Sequence, residues 1–432
     1  MPYDHDISAC FAARIGDGGL DETEFEAALA RTRPALARLR AWYADGSLPL
    51  LALPARSDDL AVLQPLIAEA AAKFDRLVVL GTGGSSLGGR TLAALAPAAA
   101  AHVHFADNID PDGFEHLLGG LDLHRTLFAV ISKSGGTAET MTQFLIAFEA
   151  VRAAVGEAGA RGCFLLVTEP GDNPLRRLGA RHKLALFDHD PGLGGRFSVL
   201  SLVGMIPALF AGVDALAVRK GAGQVLARTL EARDAAASEP ARGAAVQVAL
   251  AEARGVATTV LMPYCDRLGD FAMWFRQLWA ESLGKGGKGT TPVRAIGAVD
   301  QHSQLQLYLD GPRDKLFTLV LLDQAGRGRR VEPELVAGEP ALGYLSGRTM
   351  GDLFAAEQRA TWDTLAARGR PVRVVRLDRL DARALGALLM HFMLETIIAA
   401  ELWGVDPFDQ PAVEDGKRRA RQSLAGVAEV PA

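Results

Sequence analysis

The chain has 432 residues, 49% of them hydrophobic and 22% charged, with a formal net charge of −5. That length accommodates about two or three domains with substantial cores, and the mild negative charge excludes the strongly basic surface that nucleic acid demands. The one dense basic run, Lys417-Arg418-Arg419-Ala420-Arg421, reads as a solvated helix face whose first lysine is a candidate anion contact.

The N-terminal stretch MPYDHDISACFAARIGDGG carries acids early and no long apolar core behind a basic start. It therefore does not read as a secretory signal, and a cytoplasmic location is expected. Residues 1–50 read as a helical segment. Cys10, Cys163 and Cys265 are odd in number and far apart, with no paired metal spacing, which argues against a disulfide framework or a zinc site.

From residue 76 onward, apolar runs alternate with amphipathic stretches. RLVVL, HVHFA, TLFAVIS and CFLLVTE read as strands, and the segments after Gly88, Pro111, Thr137 and Asn173 read as helices. Phe197 to Val213 holds no charge over 17 residues, but Gly204 and Pro207 interrupt it and Arg196 and Asp214 bound it. A buried helix is expected there, with no membrane span. A long helical region over 215–255 leads to a second series, with strands at ATTVLM, KLFTLVLL and PVRVVRLD and helices over 270–283, 303–309, 352–368 and 382–402.

Such alternation predicts an α/β fold with two doubly wound parallel sheets. The expected domains are 51–214 and 215–402, preceded by the helical segment and followed by an arm over 403–432. That arm contains Pro407 and Pro411 and must dock somewhere or be disordered.

Two loops carry the first chemical signal. VVLGTGGSSLGGRTL, residues 78–92, leaves backbone N–H groups exposed between a strand and a helix, a site for phosphate or carboxylate. It lacks the lysine of a nucleotide-hydrolase phosphate loop and fits the dinucleotide fingerprint poorly. Gly84-Ser85-Ser86-Leu87-Gly88 does match a hydrolase nucleophile elbow, which makes Ser86 a rival candidate. VISKSGGTAET, residues 130–140, adds Ser132, Lys133, Ser134 and Thr137 at a helix start, a set suited to a phosphate monoester. The alternative there is helix capping by a hydroxyl with Glu139 in the first turn.

Later segments hold the candidates for proton transfer. GLGGRFS places Arg196 after two glycines, where a guanidinium can approach a ligand or act as a structural arginine. In FRQLWAESLGK, Gln277 and Glu281 share one face of an otherwise apolar helix, which makes Glu281 either a solvated edge residue or a base in a dry pocket. GAVDQHSQLQLYLDG puts His302 at a helix start, and the pairs His102/His104 and His391/Glu395 lack a third metal ligand.

Taken together, GTGGSSLGG, SKSGGTAET, GGRFS, QLWAESLGK, VDQHS and DPFDQPAVEDGK resemble the signature segments of the glucose-6-phosphate isomerase family, in the family's order, over residues 78–417. The likeness is to a short bacterial-type member. It implies two sugar-isomerase domains, a homodimer with active sites between subunits, a small sugar-phosphate substrate, and interconversion of glucose 6-phosphate and fructose 6-phosphate without metal or other cofactor. By the same resemblance, Gly84, Ser85, Ser132, Ser134 and Thr137 bind the phosphate, with Lys133 beside it. Glu281 is the base between C2 and C1, Arg196 stabilises the cis-enediolate, and His302 (from the neighbouring subunit) and Lys417 assist ring opening. Gln277 and Gln410 line the sugar site. Thr82 departs from the branched aliphatic residue of the family's first loop, and the Ser134-Gly135-Gly136 segment is less bulky than in animal-type members. The competing readings are a hydrolase using Ser86 and a non-catalytic sugar-phosphate regulator.

Overall fold

The computed structural model describes residues 1–97 and 102–426; residues 427–432 of the expected arm lie outside that range. Its strands are β1 (Asp4–Asp6), β2 (Arg76–Leu80), β3 (His102–Ala106), β4 (Thr126–Ile131), β5 (Phe164–Thr168), β6 (Ala185–Asp188), β7 (Thr258–Pro263), β8 (Thr291–Arg294), β9 (Lys315–Leu322) and β10 (Val372–Leu377). They form two five-stranded sheets, in the orders β3-β2-β4-β5-β6 and β1-β10-β9-β7-β8. The first sheet is wholly parallel. The second is parallel except for β1, which runs antiparallel to β10.

Central strands such as β4 are buried along their whole length, as expected where helices cover both faces and the sequence is continuously apolar. The expected helical segment over 1–50 forms at Ala12–Ile15, Glu22–Arg31 and Arg33–Asp45, but it is preceded by β1, which pairs Asp4 with Arg376 at the edge of the second sheet. β6 and β8 also escape a reading based on apolar runs, because both are short outer strands. Ala185–Asp188 is largely exposed or half-buried, and Pro292 in β8 costs nothing where no neighbour needs its missing N–H.

In each sheet the chain reverses its direction of strand addition. From β2 it adds β3 on one side and then β4 on the other; from β7 it adds β8 and then β9. Ligands of open parallel sheets bind outside the carboxyl ends of strands at such a reversal. The first reversal brings together the loops after β2 and β4, the two loops singled out above.

The helices Ala215–Glu231 and Ala382–Trp403 pack against each other. Their crossing is as close as backbones allow. A Cβ on Gly221 would lie 1.8 Å from Arg383 O, and one on Gly386 1.9 Å from Val218 O, so only glycine fits at either position. Ala382–Trp403 is long and apolar enough to cross a membrane, yet it is almost wholly buried inside the fold. The apolar Phe197–Val213 stretch contains a buried helix, Leu202–Phe210, and all three cysteines are free and buried.

Under that core helix, Ala382–Trp403, lies an ionic network. Glu395, Arg373 and His391 are fully buried. Glu395 Oε2 lies 2.8 Å from Arg373 Nη1 and 2.9 Å from His391 Nε2, while Tyr3 Oη meets His391 Nδ1 at 2.6 Å. His391 and Glu395 thus belong to a closed structural cluster that ties β1 and β10 to the core helix. Burial alone would raise the Glu395 carboxyl, but Arg373 and His391 outweigh it and hold it at about 2.

His5, beside this cluster and 3.3 Å from Glu239, is pushed by burial down to about 4 although Glu239 pulls the other way. Its folded pKa lies below the ordinary 6.5, so between these values the unfolded chain binds a proton that the folded chain refuses. Stability therefore falls as pH drops from 6.5 towards 4, by about 3 kcal/mol in all from this group. Urea titrations across that window should show the decline in the natural chain and a flatter profile in His5→Asn.

Candidate active site

The loop after β2 is drawn tight by glycine. A Cβ on Gly84 would lie 2.2 Å from Gly195 C and 2.6 Å from Arg196 N, so the absence of a side chain lets this loop rest directly on the GGRFS turn. Gly83, at φ +58°, likewise abuts Gln277: a Cβ there would sit 2.8 Å from its Nε2. Ser85 is half-buried at this junction. Ser86 is fully buried and its hydroxyl donates to Asp107 Oδ2 at 3.1 Å, an oxygen that Arg90 also holds at 2.9 Å. Its backbone is not in the strained conformation of a nucleophile elbow, at φ −119° and ψ −55°. A serine so placed is an anchor for the loop, and the hydrolase reading has no accessible nucleophile. Arg90 also reaches Asp270 at 3.3 Å, joining the loop to the start of the Gly269–Leu283 helix.

In the loop after β4, Ser132 is buried and donates to Thr137 Oγ1 at 3.0 Å. Thr137 occupies the N-cap position of the Ala138–Ala160 helix, but its side chain does not bond the helix N–H groups. The capping alternative is thus not what the structure adopts, and the first-turn amides remain aimed into the loop at the positive end of the helix. Ser134 is exposed, and its Oγ accepts from Gly136 N at 3.4 Å. Lys133 is half-buried, and its Nζ donates to Pro191 O at 2.7 Å. Gly135, at φ +62°, leaves room for Asn173, whose Oδ1 would lie 1.9 Å from a Cβ at that position.

The Gly269–Leu283 helix buries Phe271, Trp274, Phe275, Leu278 and Trp279 and turns Gln277 and Glu281 towards the loops. Gln277 Nε2 donates to Glu281 Oε1 at 2.9 Å, and Arg196 Nη1 donates to Oε2 at 3.1 Å. Arg196 is only 3% exposed. Burial lowers its pKa from the ordinary value, opposed by the Glu281 carboxylate. All five of its N–H groups have acceptors. Nε donates to Ser282 Oγ at 2.8 Å, Nη1 to Glu281 and to Gln410 Oε1 at 2.6 Å, and Nη2 to Pro407 O and to Asp409 O at 2.9 Å.

Gln277, Glu281, Arg196 and Gln410 are thus one bonded group, with Gly83 and Gly84 against it. His302 and Lys417 are not drawn into it within one chain. His302 is exposed on the short Val299–Ser303 helix, and Lys417 bonds Glu414 Oε1 at 2.7 Å on the Glu414–Leu424 helix, which buries none of its residues. Ser282, Lys285, Asp107 and the carbonyls of Pro407 and Asp409 are participants that sequence reasoning did not single out. Ser282 and Lys285 lie within the quoted FRQLWAESLGK segment and Pro407 and Asp409 within DPFDQPAVEDGK, while Asp107 lies in no quoted segment.

The close approach of the two glycine turns is testable. Gly84→Ala must separate backbone from backbone, with no flexible side chain to yield, and we expect about 1–3 kcal/mol of destabilisation in urea unfolding. Gly119→Ala, at a position with open space around it, serves as the control.

A family model described as phosphoglucose isomerase matches residues 67–299. The glucose-6-phosphate isomerase of Rubrobacter xylanophilus is 42% identical over 317 residues, which cover 73% of this chain and 72% of the relative. A probable glucose-6-phosphate isomerase of Haloarcula marismortui is 37% identical over 98% of this chain and 94% of its own length. Among solved structures, a hypothetical protein of Thermus thermophilus superposes with a TM-score of 0.86 at 34% identity, covering 98% of this chain and all of that one. A glucose-6-phosphate isomerase from Chlamydia trachomatis gives 0.73 at 26% identity, over 86% of this chain and 74% of its own. On these likenesses, which extend over nearly the full length, the chain belongs to the phosphoglucose isomerase family.

Proposed function

We propose that the protein interconverts glucose 6-phosphate and fructose 6-phosphate through a cis-enediolate, as a cytoplasmic enzyme of glycolysis and gluconeogenesis working as a homodimer. One observation carries the reading. A carboxylate, Glu281, is held between Gln277 and Arg196, and these two partners abut Gly83 and Gly84 of the loop after β2 at the edge of the first sheet.

The phosphate of the substrate is held by Ser85, Ser132, Ser134, Thr137 and the amides around Gly84 and the start of the Ala138–Ala160 helix. It does not react; its binding energy brings C2 to the base. Glu281 removes the C2 proton of the open-chain aldose. The electron pair of that C–H bond forms the C1–C2 double bond, and negative charge moves to O1. Arg196 faces that charge, and because every N–H it carries already has an acceptor, the enediolate must replace one of them. Glu281 and Gln410, both on Nη1, are the partners set to yield. After proton exchange between O1 and O2, Glu281 returns the proton to C1, leaving the carbonyl at C2. A base and a cation in contact before reaction hold each other in position, and both are released to the substrate when it enters.

Ring opening precedes this step and needs a proton delivered to the ring oxygen and one removed from the anomeric hydroxyl. We assign it to Lys417 and His302, the latter reaching the site of a neighbouring subunit, in keeping with the exposure of both on a single chain.

Glu281→Gln keeps the shape of the side chain and removes the base, so kcat should fall at least about 10²-fold with KM largely kept. Steady-state assay in both directions checks this, and preserved turnover would remove Glu281 from the role. Thr137→Ala should instead raise KM about tenfold with kcat within about threefold; a pure kcat effect would contradict phosphate binding by that hydroxyl. Treatment with EDTA should leave turnover unchanged. Binding of sugar phosphate with no turnover in the natural chain would favour a regulator over an enzyme.

A further inference from the structure

The segment from Asp406 to Gln410 leaves the core helix Ala382–Trp403 and crosses the site before the exposed terminal helix begins. Arg196 holds one side of this strap through Pro407 O, Asp409 O and Gln410 Oε1. Phe408 anchors it further, with its ring 5.9 Å from that of Trp42 and 5.4 Å from that of Phe197. A second cation holds the strap from the base helix. Lys285, two residues beyond the end of that helix, has a side chain only 15% exposed. Its Nζ donates to Ser282 O at 3.2 Å, to Asp406 O, and forms an ion pair with Asp409 Oδ1 at 2.8 Å.

An ammonium group has three donors, and here each has an acceptor. One belongs to the last turn of the helix that bears Glu281, where a cation is favoured by the helix dipole, and two belong to the strap. Lys285 therefore joins the base to the segment that presents Gln410 and leads to Lys417. Among the described residues the terminal helix buries none of its own, and Lys417 pairs only with Glu414 of the same helix, so the strap sets where that helix starts.

We infer that Lys285 is a positioning residue for the isomerisation: it fastens the Asp406–Gln410 strap to the base helix and so sets Gln410 and Lys417 against Glu281. The inference rests on the isomerase reading above. It differs from a surface ion pair of little consequence in two ways: most of the lysine is shielded from solvent, and two of its three acceptors are backbone carbonyls that cannot swing away.

The test compares the natural chain with Lys285→Met, Lys285→Arg and Asp409→Asn by steady-state kinetics and by chymotrypsin cleavage after Phe408, read as release of the segment from Asp409 onward. For Lys285→Met we expect faster cleavage and a kcat reduced about tenfold or more, with KM for fructose 6-phosphate within about threefold because the phosphate loops are untouched. Lys285→Arg, which keeps the charge opposite Asp409, should recover most of both. Asp409→Asn should shift both readouts in the same direction by less, and it decides the matter if Lys285→Met does not fold. Cleavage and kcat at natural levels in Lys285→Met would overturn the inference, and so would a loss that Lys285→Arg does not restore. Absence of turnover in the natural chain would instead overturn the isomerase reading, and the cleavage comparison would still decide whether Lys285 fastens the strap.

Discussion

The site depends on the placement of one guanidinium. Arg196 is almost wholly buried with every donor used, and removing a partner from such a group costs about 3–5 kcal/mol. The chain draws these acceptors from two separate regions, while a third is pressed against the arginine's own turn. Ser282 and Glu281 come from one helix, Pro407, Asp409 and Gln410 come from the strap, and the glycine turn carrying Arg196 rests on the first loop. Satisfying the arginine therefore assembles the site. Glu281, the strap and the glycine loop after β2 are brought to one place by the need to pair a single charge.

Around that centre the two sheets have unequal tasks. The first offers the loops after β2 and β4 at its reversal point, both open at backbone level because glycine removes the side chains that would separate them from their neighbours. The second sheet and the helices between them supply the platform. The glycine crossing of Ala215–Glu231 with Ala382–Trp403 and the buried Tyr3, His391, Glu395, Arg373 cluster fix the core helix from which the strap departs. Through His5 this remote cluster weakens the fold as pH falls from 6.5 towards 4.

Much of this was legible in the sequence, for identifiable reasons. Runs such as KLFTLVLL are buried on both faces and so are continuously apolar; β9 spans that segment end to end. β1 and β8 left no such run because outer strands keep polar or exposed residues, β6 left only the short run Leu184–Phe187, and Asp4–Asp6 is set as a strand by pairing with a segment from the far end of the chain. In the site, Glu281, Gln277, Arg196 and Gly84 stood out as polar or small residues in apolar or glycine-rich surroundings, and the structure joins them. Lys285 did not, because its partners in the strap are distant in sequence, one of them a backbone carbonyl 121 residues away. Such an acceptor carries no residue-type signal. Ser86 misled in the opposite sense: its motif fitted a nucleophile, and only its burial against Asp107 reveals an anchor. His302 and Lys417 owe their assignment to ring opening to the family resemblance, and neither touches the bonded group within one chain.

The most direct test of a carboxylate moving a proton between adjacent carbons is isotopic. Fructose 6-phosphate is incubated with the protein in D2O, and deuterium at C2 of the glucose 6-phosphate formed is followed by NMR. The account predicts deuterium at C2, because a proton resting on Glu281 between removal and return exchanges with solvent, and it predicts that Glu281→Gln abolishes both conversion and exchange. Conversion with full retention of protium at C2, or undiminished exchange in Glu281→Gln, would contradict it.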